Sequence, residues 1–243
     1  DGLGRLGGLD EKALCDFLLD GGENAFFALA DNGSLTLTPA GAGECWQFSL
    51  LMLEALQKSG VTPPAREALY PFIGPPLLGA FEAYYGFTPE QSRQALAYYR
   101  EYYAPHGIYE NRVYDGIEAL LAALKRAGKR LVVATSKPEY FAVKIMEHYD
   151  LAKYFERIAG SEMNESRSRK SEVICYALEQ CGADAGDAVM IGDRSHDVVG
   201  AREAGDIPCI GVLYGYGSKE ELEEAGAAAI AETPAALGQL LGV

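Results

Sequence analysis

Three short stretches of this 243-residue sequence carry side chains suited to an oxyanion and a hard cation: ATSK at 134–137, SRSRK at 166–170 and GDRSHD at 192–197. The Thr135 hydroxyl and the Lys170 ammonium suit phosphate oxygens, one as a hydrogen-bond donor and the other as a point charge. The Ser136 backbone stands beside them in the chain. Asp193 and Asp197 lie one helical turn apart, and paired carboxylates suit an oxygen-ligated Mg²⁺. Each group also has a plainer role. ATSKP reads as a helix cap with proline in the first turn, Asp193 and Asp197 as the cap and solvated face of a helix, and Lys170 as a surface lysine. What joins them is order along the chain, since each group follows or precedes a strand-like run.

Those runs define the elements that must position the chemistry. KRLVVATS (129–136), FERIAGS (155–161), DAVMIGD (187–193), DIPCIGVLYG (206–215) and AAAIAE (227–232) are short, apolar and β-branched. Helical stretches separate them at 115–129, 138–149, 170–181, 195–204 and 218–224, with a last helix at the carboxyl end. Strands buried on both faces and alternating with helices predict a parallel sheet, and ligands of such sheets bind at the carboxyl ends of the strands. AFFALA (25–30) supplies a further buried strand. The segment from 44 to 113 is wholly helical in pattern, and Thr88 stands as an N-cap before PEQSRQALAYYREYY. The expected organisation is an N-terminal extension with a short helix at 1–24, an α/β core at 25–43 and 114–243, and an inserted helical cap at 44–113.

The composition bounds the function. A net charge of −14 argues against nucleic acid and anionic membranes as partners, and leaves room for a small phosphate ligand in a local positive pocket. No apolar run reaches the length of a membrane helix and no secretory leader is visible, so a cytoplasmic protein is expected, as a monomer or homodimer. The five cysteines (Cys15, Cys45, Cys175, Cys181, Cys209) are scattered without a CxxC pair and read as buried, reduced thiols. The three histidines show no metal-ligand spacing. Tyr84, Tyr85, Tyr98, Tyr99, Tyr102, Tyr103 and Phe81 recur at helical spacing and read as core rather than as a ligand cage.

In combination, FIGPPL (72–77), VYDGIEALL (113–121), VVATSKPE (132–139), RKSEVI (169–174) and VMIGDRSHDVVGA (189–201) resemble the haloacid dehalogenase superfamily. The likeness is to its capped branch, near phosphoglycolate-phosphatase-like and bacterial 5′-nucleotidase-like members, and it covers 25–243. It implies a Rossmann-like parallel-sheet core with a helical cap, and a Mg²⁺-dependent phosphatase that works on a small phosphorylated metabolite through an aspartyl-phosphate. By motif, Thr135 would hydrogen-bond the phosphate, with Ser136 beside it. Lys170 would neutralise nucleophile and phosphate, and Asp193 and Asp197 would hold Mg²⁺ directly or through water. The Phe72–Gly74 stretch would face the site.

The first motif departs from the pattern. The family ends its first strand in D-x-D-G-T, whose first aspartate attacks phosphorus and whose second is the acid–base. Here AFFALADNGSLT (25–36), aligned on Gly33, puts Ala30 at the nucleophile and Asn32 at the acid–base, with Asp31 between them. That register implies poor turnover and weakened Mg²⁺ binding, or a protein that binds a phosphorylated ligand without hydrolysing it. Two other readings stay open: a bulge that brings Asp31 to a catalytic position, and a β-hairpin turning at Asn32-Gly33. Asp20, in FLLDGG, lacks a second aspartate two positions on.

Overall fold

The structure, a computed structural model, describes residues 24–27, 45–62, 64, 69, 77–109, 113–164 and 166–243. Six strands form one sheet: β1 (Asn24–Phe27), β2 (Arg130–Pro138), β3 (Arg157–Ser161), β4 (Ala188–Gly192), β5 (Cys209–Val212) and β6 (Ala229–Ala231). Their order is β3-β2-β1-β4-β5-β6. Every pairing is parallel. The helices are α1 (Cys45–Lys58), α2 (Leu77–Tyr85), α3 (Pro89–Tyr103), α4 (Ile117–Arg126), α5 (Glu139–His148), α6 (Lys170–Cys181), α7 (Ser195–Gly205), α8 (Lys219–Ala225) and α9 (Pro234–Leu240).

Alternation along the strands builds two cores. Leu131, Val133, Val189, Ile191, Ile210 and Val212 enter one cluster, completed by Ile117, Leu120, Leu121 and Leu124 of α4. Val132, Ala134, Ala188, Met190 and Cys209 enter the other, with Val173, Ile174, Ala177 and Leu178 of α6. Both faces are therefore covered by helices, which is why the strands read as continuous apolar runs. Each fully buried aliphatic side chain contributes about 1.5–3 kcal/mol relative to exposure.

A third cluster joins Met52, Leu56, Phe81, Leu96, Tyr99, Tyr103 and Ile108 to Phe141 and Ile145 of α5. The three helices α1–α3 thus dock on the helix that leaves β2. Thr88 caps α3, accepting from Gln91 N while Gln91 Oε1 accepts from Thr88 N.

The strand expected at 25–30 is described over 24–27, as β1 in the middle of the sheet. It is level with β2 and β4 on its two sides, Phe27 pairing with Val133 and with Ile191. Both edges of β1 are taken by parallel neighbours over 24–27; the turn that the hairpin reading places at Asn32-Gly33 lies outside the described residues. The positions that decide the first motif (Ala30, Asp31 and Asn32) lie outside the described residues, as do Phe72–Gly74 and the extension at 1–23.

The cysteine expectation needs correction. Cys209 is buried in β5, but Cys181 is half-buried and Cys175 exposed. The reason is helical phase: α6 buries 170, 171, 173, 174, 177 and 178, which puts 175 on the outer face. The aromatics of α2 and α3 divide likewise. Phe81, Tyr99 and Tyr103 are buried, whereas Tyr84 and Tyr102 are exposed.

Candidate functional site

The parallel sheet brings the carboxyl ends of β1, β2 and β4 side by side, and the candidate residues follow two of them. Thr135 lies near the end of β2 and is fully buried. Its Oγ1 accepts from Lys137 N at 3.1 Å, so the hydroxyl retains its own proton for donation. The helix-cap reading of ATSKP is not what forms. The strand runs through to Pro138, and α5 starts at Glu139 with no side-chain cap.

Asp193 follows β4 directly, and Asp197 is in the first turn of α7. Asp197 Oδ2 accepts from Asp193 N at 3.0 Å and Arg194 N at 3.1 Å, which fixes the turn between strand and helix. Its Oδ1 lies 2.9 Å from Lys170 Nζ. Both residues are almost wholly buried, Lys170 at 5% exposure and Asp197 at 2%. Among the described residues Oδ1 accepts no aligned hydrogen bond. The contact with Lys170 is thus a charge pair that leaves Oδ1 acceptor capacity. Lys170 Nζ also stands 3.5 Å from Ala134 O, the outer limit for a hydrogen bond, which places the ammonium beside the end of β2.

The loop after β5 closes the other side. Tyr216 N donates to Asp193 Oδ2 at 2.8 Å and Gly217 N donates to Asp193 O at 2.9 Å. Glu221 of α8 holds the next residues, accepting from Arg194 Nε at 2.9 Å and Ser195 N at 2.8 Å. Burial pushes the Glu221 carboxyl upward, but the Ser195 N–H and the Arg194 guanidinium outweigh it and the net direction is down. Burial, and then the charge of Asp193, push the Tyr214 phenol well up, so it stays neutral there.

Two glycines allow this closeness. A Cβ on Gly192 would lie 2.3 Å from Asp197 Cβ, and one on Gly215 would lie 2.1 Å from Asp193 Cβ. Gly215→Ala is therefore expected to force the Asp193 loop apart and to cost about 1–3 kcal/mol, typical of overpacking. Thermal denaturation checks this against Gly79→Ala, in α2, where a Cβ meets nothing within 4 Å. The control should be neutral or slightly stabilising, since alanine favours helix over glycine by about 1 kcal/mol.

The structure thus brings Lys170 and Asp197 into contact, ties Asp197 to Asp193 through the backbone, and sets Lys170 against the residue before Thr135. The sequence reading did not single out Gly215, Tyr216, Gly217 and Glu221. Their visible signal was the G-x-G in LYGYG at the end of a strand. Lys137 was seen there only as part of ATSK.

The donor set is all oxygen and carboxylate, which fits Mg²⁺ rather than a soft metal. Asp197 Oδ1, buried and with acceptor capacity left, fits a cation's hydration shell. Among the described residues no group of three or more His, Cys, Asp or Glu side chains gathers at one point, so two carboxylates are what this part of the chain offers.

Residues 48–212 match the family described as haloacid dehalogenase-like hydrolase. The chain belongs to the haloacid dehalogenase-like hydrolase family. It is similar to the 5′-nucleotidase of Pseudomonas aeruginosa, with 44% identity over 79% of this chain and 83% of that one. Among solved structures, a predicted phosphatase from Clostridium acetobutylicum superposes with a TM-score of 0.78 at 41% identity, covering 89% of this chain and 97% of that one. Protein Tyrosine Kinase A of Mycobacterium tuberculosis gives a TM-score of 0.70 at 32% identity, covering 92% of this chain and all of that one. The α/β parallel-sheet fold is shared with these relatives. No helix among the described residues is long and apolar enough to cross a membrane.

Proposed function

We propose that this member of the haloacid dehalogenase-like family carries the phosphate-ester site of a phosphatase for a small phosphorylated metabolite, and that its first motif holds turnover very low. The observation that carries this reading is the buried Lys170–Asp197 pair at 2.9 Å, set beside the end of β2. Lysines are almost never buried to this degree unless paired, and here the pairing carboxylate also holds the strand-to-helix turn through its other oxygen. The relatives named 5′-nucleotidase and predicted phosphatase support the substrate class.

In this reading Thr135 Oγ1 donates to a phosphate oxygen and the Ser136 N–H lies alongside. Lys170 offsets the charge that gathers on the phosphoryl group. Asp193 would hold Mg²⁺, with Asp197 acting through water and the backbone, and the bound metal would supply further neutralisation of phosphoryl oxygens. Helices α1–α3 act as the cap over the site. With Ala30 and Asn32 at the two catalytic positions, the groups that bind remain and the groups that attack and transfer protons are missing. Pure binding of a phosphorylated ligand is the limiting case of the same reading.

Inorganic phosphate titrated into the protein should bind with a measurable heat. Thr135→Val should weaken it about 10-fold or more, the loss expected when a hydrogen bond to a charged group is removed. A phosphate-soaked crystal with density elsewhere and none beside Thr135 would refute the assignment.

A further inference from the structure

The loop between β5 and α8 holds Asp193 from behind. Leu213 follows β5, and its N–H donates to Ala231 O at 3.0 Å, which ties the start of the loop to β6. The far end is Ser218, whose Oγ accepts from Glu221 N at 3.1 Å and caps α8. Between these ties Tyr216 N donates to Asp193 Oδ2, and Gly217 N donates to Asp193 O. A Cβ on Gly215 or on Gly217 would collide with Asp193, so the loop lies directly against that residue. One carboxylate oxygen and the backbone oxygen of Asp193 are thus gripped by the same short stretch. An aspartate side chain otherwise samples several staggered rotamers.

Tyr214 keeps that stretch in place. Its ring meets the Tyr114 ring edge-on, with centres 5.3 Å apart and planes at 71°, an arrangement that aromatic pairs favour. Tyr114 is itself anchored. It is buried in the cluster that holds Ile117, Leu120 and Leu121 of α4, and its carbonyl accepts from Ile117 N at 3.2 Å as the helix starts. Tyr214 packs against the same cluster. Tyr114 stands where the chain returns from α1–α3 to the sheet. A residue of that return stretch therefore backs the loop that grips Asp193. Glu221 braces the other side through Arg194 and Ser195, within the loop's own neighbourhood.

We propose that Tyr214 is a positioning residue for metal binding: wedged on Tyr114, it holds the Tyr216 and Gly217 amides where they fix the orientation in which the Asp193 carboxylate meets a hard divalent cation. The proposal rests on the assignment of Asp193 to the metal made above. Groups that hold a ligating carboxylate by hydrogen bonds are commonly worth about 10- to 100-fold in metal affinity. An ion that dehydrates reluctantly gains most from a carboxylate already in place. The ring rather than the hydroxyl makes the contact with Tyr114, so phenylalanine at 214 should serve as well as tyrosine.

Mn²⁺ titrated into the isotope-labelled full chain tests this by the paramagnetic broadening of amide signals, which also detects a weakly bound ion. In the unmodified protein the broadening should centre on residues 193–197. Tyr214→Ala should weaken Mn²⁺ binding about 10-fold. It should also quicken hydrogen exchange at the Tyr216 and Gly217 amides while those of Val189, Met190 and Ile191 in β4 stay protected. Tyr214→Phe should bring affinity back to within about twofold, because the edge-on ring contact returns. Tyr114→Ala should match Tyr214→Ala, and the two together should be no weaker than either alone, the mark of one shared contact. Tyr214→Leu, which fills part of the space, serves if the alanine variant does not fold. Unchanged affinity on loss of the ring, a loss that Tyr214→Phe does not restore, or exchange that quickens equally through β4 overturns the positioning role and leaves Asp193 at the metal. Absence of broadening at 193–197 in the unmodified protein overturns the metal assignment, and the positioning role with it.

Discussion

The double variant Ala30→Asp, Asn32→Asp is expected to hydrolyse an aryl phosphate in the presence of Mg²⁺ several orders of magnitude faster than the natural chain. The argument starts from what is already in place. β1 is parallel to β2 and β4 and level with both, so its carboxyl end opens at the edge where Thr135 and Asp193 lie. Lys170 and Asp197 are paired and buried there. What the aligned sequence lacks is an attacking carboxylate and a carboxylic acid to protonate the leaving oxygen. Alanine cannot attack, and an amide cannot deliver a proton as an acid does. Loss of a covalent nucleophile has cost on the order of 10⁶ in turnover in a serine protease, about 8 kcal/mol of barrier. Hydrogen bonds from Thr135 and charge from Lys170 cannot replace that.

The same variant should bind Mg²⁺ more tightly, because the introduced carboxylate would add an oxygen ligand to the metal site proposed at Asp193 and Asp197, and Mg²⁺ demands a nearly complete octahedron. Asp193→Asn on the double-variant background should abolish the gain. Steady-state kinetics with p-nitrophenyl phosphate, and calorimetry for the metal, read both effects. Ordinary enzyme rates in the natural chain, stopped by Asp31→Asn, would instead put Asp31 in the nucleophile's place and make the bulged register correct.

Much of the scaffold was legible because its signals are local. Helix α6 begins at Lys170 and ends at Cys181 as its periodicity predicts, and β4 lies within the apolar run 187–193. Continuous apolar strands imply burial on both faces, and that is how β4 and β5 lie. The candidate site was half legible. Thr135, Lys170, Asp193 and Asp197 could be singled out because strand ends converge in a parallel sheet. What could not be read was how each group is satisfied. That Asp197 spends one oxygen on two backbone amides and the other on Lys170 depends on the packing of α6 against α7. That Tyr103, packed within the core of α1–α3, also meets Lys137 depends on how those helices dock on α5. Helical spacing alone gives Tyr99 and Tyr103 the same face and cannot tell a core ring from one that touches a buried cation.

Asp197→Ala is expected to be the most destabilising single change in the site, by about 3–5 kcal/mol, the range found when one member of a buried ion pair is removed. Three losses coincide. Lys170, 5% exposed, loses the carboxylate 2.9 Å away. Asp193 N and Arg194 N lose the acceptor that shaped the turn into α7. Gly192, which lets Asp197 approach the strand, is left facing the space the side chain filled. Against a total stability of about 5–15 kcal/mol for a typical domain, such a loss would leave little margin. Lys170→Met should cost less, because Asp197 keeps its two backbone donors, yet it should remove phosphate binding that Asp197→Ala impairs only indirectly. Lys170→Met with Asp197→Leu should be more stable than the sum of the single changes predicts, since an apolar pair in that space carries no stranded charge. Urea denaturation of the three proteins gives the coupling. A loss below about 1 kcal/mol for Asp197→Ala, the size of an exposed ion pair, would mean that the Lys170–Asp197 contact is solvated and that the site is open where the packing says it is closed.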